Sequence, residues 1–183
     1  MGLTTKQVLE AIQAALVAMV FPDDYVVPEF VGQNVFERVD VYDVPRLEQA
    51  MTDLLNYKNR IALVVPSYER FTNNAEGGIL SEVRRQEFVV ILSDKDYSPG
   101  KPAIFGDAKR AGIINIKEIV LNELRGASFD LPDVVMAPVD GESIRVAENE
   151  KNLKKSREGY RYIFETPMGI TRTPLQRGRK LRR

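Results

Sequence analysis

Any chemistry in this chain must come from carboxylates, lysine, tyrosine and the backbone, because its 183 residues include no His and no Cys. Without His there is no side chain that titrates near neutral pH unaided, and the commonest metal ligand is missing. Without Cys there is no thiol nucleophile, thiolate metal site or disulfide. Ser-His-Asp and Cys-His nucleophile sets are therefore excluded. Asp94 and Asp96 stand two residues apart at the end of an apolar run, in Ser93-Asp-Lys-Asp-Tyr97. Two carboxylates at that spacing can share a divalent cation. A third ligand at a defined spacing is missing, since Asp107 is only a loop neighbour, and a strand ending in a polar turn explains the run more simply. Glu87 together with Lys117 and Glu118 has the residue types of a nuclease-like carboxylate–lysine set, but not a persuasive order. Glu76-Gly77-Gly78 is glycine-rich yet precedes no helix, so no helix N-terminus backs it for phosphate. Neither nucleotide fingerprint, GxxxxGK[ST] or GxGxxG, follows a strand. These readings predict no catalytic residues, no metal site and no cofactor.

Two features speak to binding instead. Tyr160, Tyr162 and Phe164 alternate with Arg161. Such a stripe could stack bases on a sheet face, or it could be a core-facing aromatic row. The second feature is the end of the chain. Gly169–Arg183 carries Arg172, Arg177, Arg179, Lys180, Arg182 and Arg183 and no acid, which leaves 20 cations against 26 anions elsewhere. A net charge of zero thus hides an acidic body and a basic arm. The arm suits a nucleic-acid backbone or an acidic protein surface, or it is a solvated end. Residues 1–167 are expected to form one domain and residues 168–183 an extended basic arm, too polar to fold alone.

Periodicity supplies the elements that would position these residues. Val8, Ile12, Ala15, Leu16 and Met19 recur at helical spacing over Thr5–Phe21, with Thr4 and Gln7 placed as a capping box and Pro22 as a stop. Tyr25–Val31 reads as extended, with Pro28 favouring an edge or a loop. Pro45 opens a second helix to about Tyr57. Arg60–Arg70 and Val83–Ser93 read as strands, joined by a polar tip of about ten residues, Thr72–Ser81. A third helix spans Lys109–Arg125, with Gly126 as its C′ glycine. Val134–Val139 and Glu142–Ala147 flank Asp140-Gly141, a strong hairpin signal. A charged connector, Lys151–Glu158, leads to a last strand, Gly159–Thr166. The class is α+β: mainly antiparallel sheet with a long hairpin, packed by about three helices.

Ile61–Val65 and Phe88–Leu92 are apolar without alternation. Antiparallel strands usually wet one face, so these need cover on both. Helices can cover one face, and another sheet or a neighbouring subunit the other. Ile61, Leu63, Val64, Val65, Phe88, Val90 and Leu92 are therefore the candidate sheet and oligomer-interface residues.

No apolar run reaches the length of a membrane span, and the first helix carries Lys6, Glu10 and two Gln, unlike a signal peptide. A cytoplasmic site of synthesis and assembly is expected, with no membrane partner.

The chain-wide pattern resembles the tail terminator, or tail completion, proteins of long-tailed bacteriophages. It is also similar to neighbouring minor tail proteins of contractile-tailed phages. The resemblance covers about residues 4–167. It is carried by the start helix TTKQVLEAIQAAL, the hairpin RIALVVPSYERF to SEVRRQEFVVILSD, the helix IINIKEIVLNELRG and the closing YRYIFET. It implies a virion protein assembled in the host cytoplasm into a ring, usually a hexamer, at the neck end of the tail. Such a ring caps the tail tube, stops its polymerisation and offers a docking surface for the head or neck. The implied partners are further copies of the chain, the tail tube protein, a head–tail connector or neck protein and a sheath terminal ring. DNA would pass through the lumen without sequence-specific contact. On this reading Asn73, Asn74, Glu76, Gly77 and Gly78 form a partner-docking loop, and no enzyme activity is implied. A head–tail connector of similar size remains an alternative. So do a nucleic-acid-binding module using the arm and, from the residues alone, a metal-dependent enzyme centred on Asp94 and Asp96.

Overall fold

A computed structural model describes residues 3–42, 60–76, 79–94, 105–147 and 156–174. Helix α1 spans Thr5–Ala18 and begins at the expected capping box. The Gln7 amide donates to Thr4 Oγ1 at 3.3 Å, and the Thr4 amide donates to Gln7 Oε1 at 2.9 Å. Two of the helix's orphan N–H groups are thereby satisfied. The helix stops three residues before the expected Phe21. Met19 turns extended and Val20 bridges Asn34, which swings Phe21 into an aromatic nest with Tyr25 and Phe30. Tyr25–Val31 is not a strand: it forms part of this nest, with a single 3₁₀ turn at Pro28–Phe30. Arg60 closes the nest, its guanidinium 5.3 and 5.0 Å from the Phe21 and Phe30 ring centroids.

The first strand comes later than predicted. Strand β1 is Arg38–Val41, too short to show a pattern, and it lies parallel to β2, Ile61–Glu76. Strand β3, Ile79–Ser93, returns antiparallel. Helix α2 runs Ile113–Leu124, and Gly126 caps it at φ +76°. Strands β4, Ala137–Ala147, and β5, Ser156–Pro174, complete a five-stranded mixed sheet in the order β1-β2-β3-β5-β4. The fold is α+β, with two helices among the described residues. The expected helix at Pro45–Tyr57 lies outside the described residues.

Three predicted boundaries are corrected. First, the ten-residue tip does not exist. Thr72, Asn73 and Asn74 pair in register with Val83, Glu82 and Ser81, so the strands continue through the polar run. Polar side chains on a strand exposed on both faces cost little, so polarity there does not mark a loop. Second, Asp140-Gly141 is not a hairpin turn. β4 passes straight through it, with a bulge between Pro138 and Asp140. Gly141 lets the two tyrosines approach closely: a Cβ there would lie 3.0 Å from the Tyr160 hydroxyl and from a Tyr162 ring carbon. Third, the last strand extends from Ser156 to Pro174. It takes in the end of the expected connector and the start of the expected arm.

Both helices pack on one face of the sheet. Val8, Ile12 and Leu16 of α1 and Ile116, Val120 and Leu124 of α2 close over Ala62, Val64, Phe88, Val90, Leu92, Tyr162 and Phe164. On the opposite face Ile61, Leu63 and Ile91 form a smaller cluster with Tyr42, Val89 and Ile144. The unbroken apolar runs therefore do mark strands buried on both sides.

Candidate assembly surface

The sheet is longer than the core it carries. At about 3.3 Å per residue β2 spans roughly 50 Å, while the fourteen-residue α1 spans about 21 Å. The buried core ends at the row of Gln86, Thr166 and Met168. Past that row the ends of β2, β3 and β5 continue as a three-stranded blade. Ser67 to Asn74 are all exposed, Tyr68 and Phe71 to 72% and 53%.

The root of the blade is tied down by charge. Arg70 faces Arg85 across β2–β3, and Glu87 faces Glu165 across β3–β5. Like charges directly opposite one another destabilise a sheet. Diagonal pairing removes the conflict: Arg70 reaches Glu87 at 2.6 Å, and Arg85 donates to Glu165 at 2.7 Å. Both carboxylates are mostly buried and both guanidinia lie at the surface. On the helical face Arg84 pairs with Glu69 and donates to Thr5 Oγ1 at 3.3 Å, which joins the blade to the start of α1. Sequence reading did not find this network, because the opposing residues are separated by 15 to 80 positions.

The predicted site residues fall as follows. Ile61, Leu63, Val64, Val65, Phe88, Val90 and Leu92 are all in the sheet, and each is at most 3% exposed within the single chain. A second subunit is not needed to cover them, so as oligomer-interface residues they are corrected: their surface is consumed by the chain's own fold. Asn73, Asn74 and Glu76 lie on a strand, not in a docking loop. Gly77 and Gly78 lie outside the described residues. Arg172 is exposed on β5, and Met168 is buried, so a free arm cannot begin at residue 168. Arg177, Arg179, Lys180, Arg182 and Arg183 lie outside the described residues.

Asp94 is buried, and its Oδ2 accepts from the Gly112 amide at 3.1 Å. Gly112 precedes α2 and brings no capping side chain, so a carboxylate distant in sequence takes that role and meets the positive end of the helix dipole. Asp96 lies outside the described residues. Among the described residues no three acidic side chains group to hold a metal ion. Glu87 and Lys117 are on opposite faces of the sheet: Glu87 sits beside Arg70, while Lys117 stands over the Tyr160 ring on the helical face. The nuclease-like set is therefore not assembled. The aromatic stripe is a core row, with Tyr160–Tyr162 and Tyr162–Phe164 centroids 4.7 and 5.6 Å apart. Tyr162 and Phe164 are buried, and Arg161 pairs with Glu142 at 2.8 Å.

Two tyrosines are held protonated. Burial pushes the Tyr25 phenol up to about 12, with Asp94 adding to the rise and Asn115 and Arg60 opposing it. The Tyr25 hydroxyl donates to the Ala111 carbonyl at 2.5 Å, locking the aromatic nest to the loop before α2. Burial likewise raises Tyr162 well above the usual phenol range, and its hydroxyl donates to the Lys117 carbonyl at 3.1 Å. Both are structural anchors.

No protein-family model matches this sequence, and no curated protein matches it.

Proposed function

We propose that this chain is a structural, non-enzymatic virion protein. Copies form a ring, a hexamer in the simplest case, that caps a phage tail tube, ends its polymerisation and presents a docking surface to the head or neck. The observation that carries this reading is the blade. The ends of β2, β3 and β5 continue well past the core, and there β2 is exposed from Ser67 to Asn74 and displays Tyr68 and Phe71. A sheet extension whose outer strand is exposed on both faces contributes little stability alone, so such a feature makes physical sense where neighbours complete it. Heterologous contacts between identical copies close into a ring when the rotation per step closes. In that arrangement the blades, rather than the apolar strand cores, are the parts that meet other copies and the tube.

The ring is tested by sedimentation of the purified chain together with negative-stain microscopy. An integral multimer with a central opening is expected, and a monomer at tens of micromolar would overturn the reading. Particles assembled without the protein should carry tubes of uncontrolled length. Tubes of normal length would remove the terminator role and leave the neck-protein alternative.

A further inference from the structure

The blade has two bare edges, and they are not alike. Among the described residues β1 pairs with β2 only as far as Val64, and β4 pairs with β5 only as far as Glu165. Beyond the core, the outer edges of β2 and β5 therefore have no described strand beside them. On β5 that stretch holds Pro167 and Pro174, which lack the N–H that a further strand would use. On β2, residues 67–76 include no proline, and Ser67 to Asn74 are exposed. A long bare edge without such a guard is a template for another strand.

We propose that the outer edge of β2 pairs antiparallel with the same edge of a second copy, about a twofold axis at Asn73. A twofold axis normal to the sheet keeps each side chain on its own face. A residue can then lie opposite itself or a residue an even number of positions away. Centring the pair on Glu69 or Arg70 sets like charges opposite one another, which destabilises a sheet. Centring it on Phe71 runs the hairpin end, where Glu76 pairs with Ile79, into the second copy's β1. Centring it on Thr72 sets Tyr68 opposite Glu76, and centring it on Asn74 sets Thr72 opposite Glu76. Centred on Asn73, the edge complements itself. Arg70 lies opposite the second copy's Glu76, Glu76 opposite its Arg70, and Thr72 opposite its Asn74.

The state of the charged groups agrees with this register. Glu76 is exposed and, among the described residues, has no partner within its own chain. Arg70 holds Glu87 at 2.6 Å with its side chain still 62% exposed, so guanidinium N–H groups remain for a second carboxylate. Side chains alternate along a strand, which puts Arg70, Thr72, Asn74 and Glu76 on one face. The fit in length agrees too. Glu76 of one copy comes to rest opposite Arg70 of the other, six residues short of Val64, where the β1 pairing ends. Each blade then lies along the other, with the two cores at opposite ends of the pair. The contact is isologous, so it is separate from the head-to-tail contacts of a ring and does not depend on them.

The absence of native Cys makes any engineered thiol the only one in the full-length chain. Four single variants scan the edge: Phe71→Cys, Thr72→Cys, Asn73→Cys and Asn74→Cys. Val26→Cys, 70% exposed outside the sheet, is the control. Opposite residues of an antiparallel pair have Cα atoms about 4.5–5.5 Å apart, within disulfide range. On mild oxidation Asn73→Cys should therefore form covalent dimers several-fold faster than Thr72→Cys or Asn74→Cys, whose own copies lie diagonally across the pair. Phe71→Cys and Val26→Cys should be slowest. Glu76→Lys sets cations opposite one another and should weaken self-association several-fold at low salt, and less as salt rises. A fastest rate at another position overturns the pairing, and so do equal or negligible rates at all five. A Glu76→Lys chain that associates like wild type also overturns it. If sedimentation shows a ring while position 73 is not preferred, the pairing falls and the ring stands. If position 73 is preferred and nothing larger than a dimer forms, the pairing stands and the ring falls.

Discussion

Single buried polar contacts hold the helical layer on the sheet, and they make the sharpest tests at the residue scale. Tyr25→Phe removes the hydroxyl that reaches the Ala111 carbonyl, although Asn115 Nδ2 still donates to that oxygen at 3.2 Å. The expected loss is about 1 kcal/mol at neutral pH. The phenol titrates near 10 when unfolded and at about 12 when folded, so the protonated form is favoured by folding. Its contribution is full below pH 10 and is lost as pH climbs through 12. Denaturant unfolding from pH 8 to 12 should therefore show an alkaline fall in stability that is shallower in Tyr25→Phe. An unchanged alkaline slope would contradict the role given to this phenol. Asp94→Ala should cost about 1–3 kcal/mol, because it leaves the Gly112 amide at the head of α2 without its acceptor. It should leave the content of bound divalent metal, measured by elemental analysis, unchanged.

At the scale of elements, the core and the blade of the same strands should respond differently. Val64→Asp or Val90→Asp places a carboxylate where the wild-type residue is fully buried, with an expected cost of several kcal/mol. Circular dichroism should show an unfolded or partly folded chain. Tyr68→Asp and Phe71→Asp fall on the exposed blade, so folding should be retained while assembly weakens. If the core and blade variants lose folding equally, the division of the strands into core and blade is wrong. The charge network can be tested separately. Arg85→Ala leaves Glu165 unpaired opposite Glu87 and should destabilise by about 1–3 kcal/mol. Adding Glu165→Gln should recover part of that loss, and a double-mutant cycle measures the coupling.

For the whole molecule, charge distribution matters more than net charge. A chain neutral in total has an acidic body and a strongly basic end. Attractions between exposed charges are screened over about 8 Å at physiological salt. Truncation after Pro174 removes five cations but none of the described sheet. The truncated chain should keep the thermal unfolding midpoint of the monomer and associate more weakly. In the full-length chain, association should weaken as salt rises. A truncation that unfolds the domain would place the arm in the core.

The sequence by itself determined what depends on neighbours a few residues away. The capping box of α1, the apolar stripes of both described helices and the C′ glycine at Gly126 follow from helical spacing and local backbone preference. The unbroken runs Ile61–Val65 and Phe88–Leu92 announced strands buried on both faces. The absence of His and Cys removed whole classes of chemistry before any geometry was known. Tertiary structure decided the rest, because it depends on partners distant in the chain. Thr72–Asn74 is strand rather than tip because β3 supplies its hydrogen-bond partners, and no local pattern encodes that. Arg38–Val41 is strand only because β2 lies parallel beside it. Asp140-Gly141 carries a hairpin signal, yet the glycine serves two tyrosine rings that approach from β5. Glu87 and Lys117 are separated by the sheet, and Asp94 turns to a helix rather than a metal. The apolar strand cores were open to a neighbour in the sequence, and the chain's own fold closes over them, because the residues that cover them lie far away in the chain.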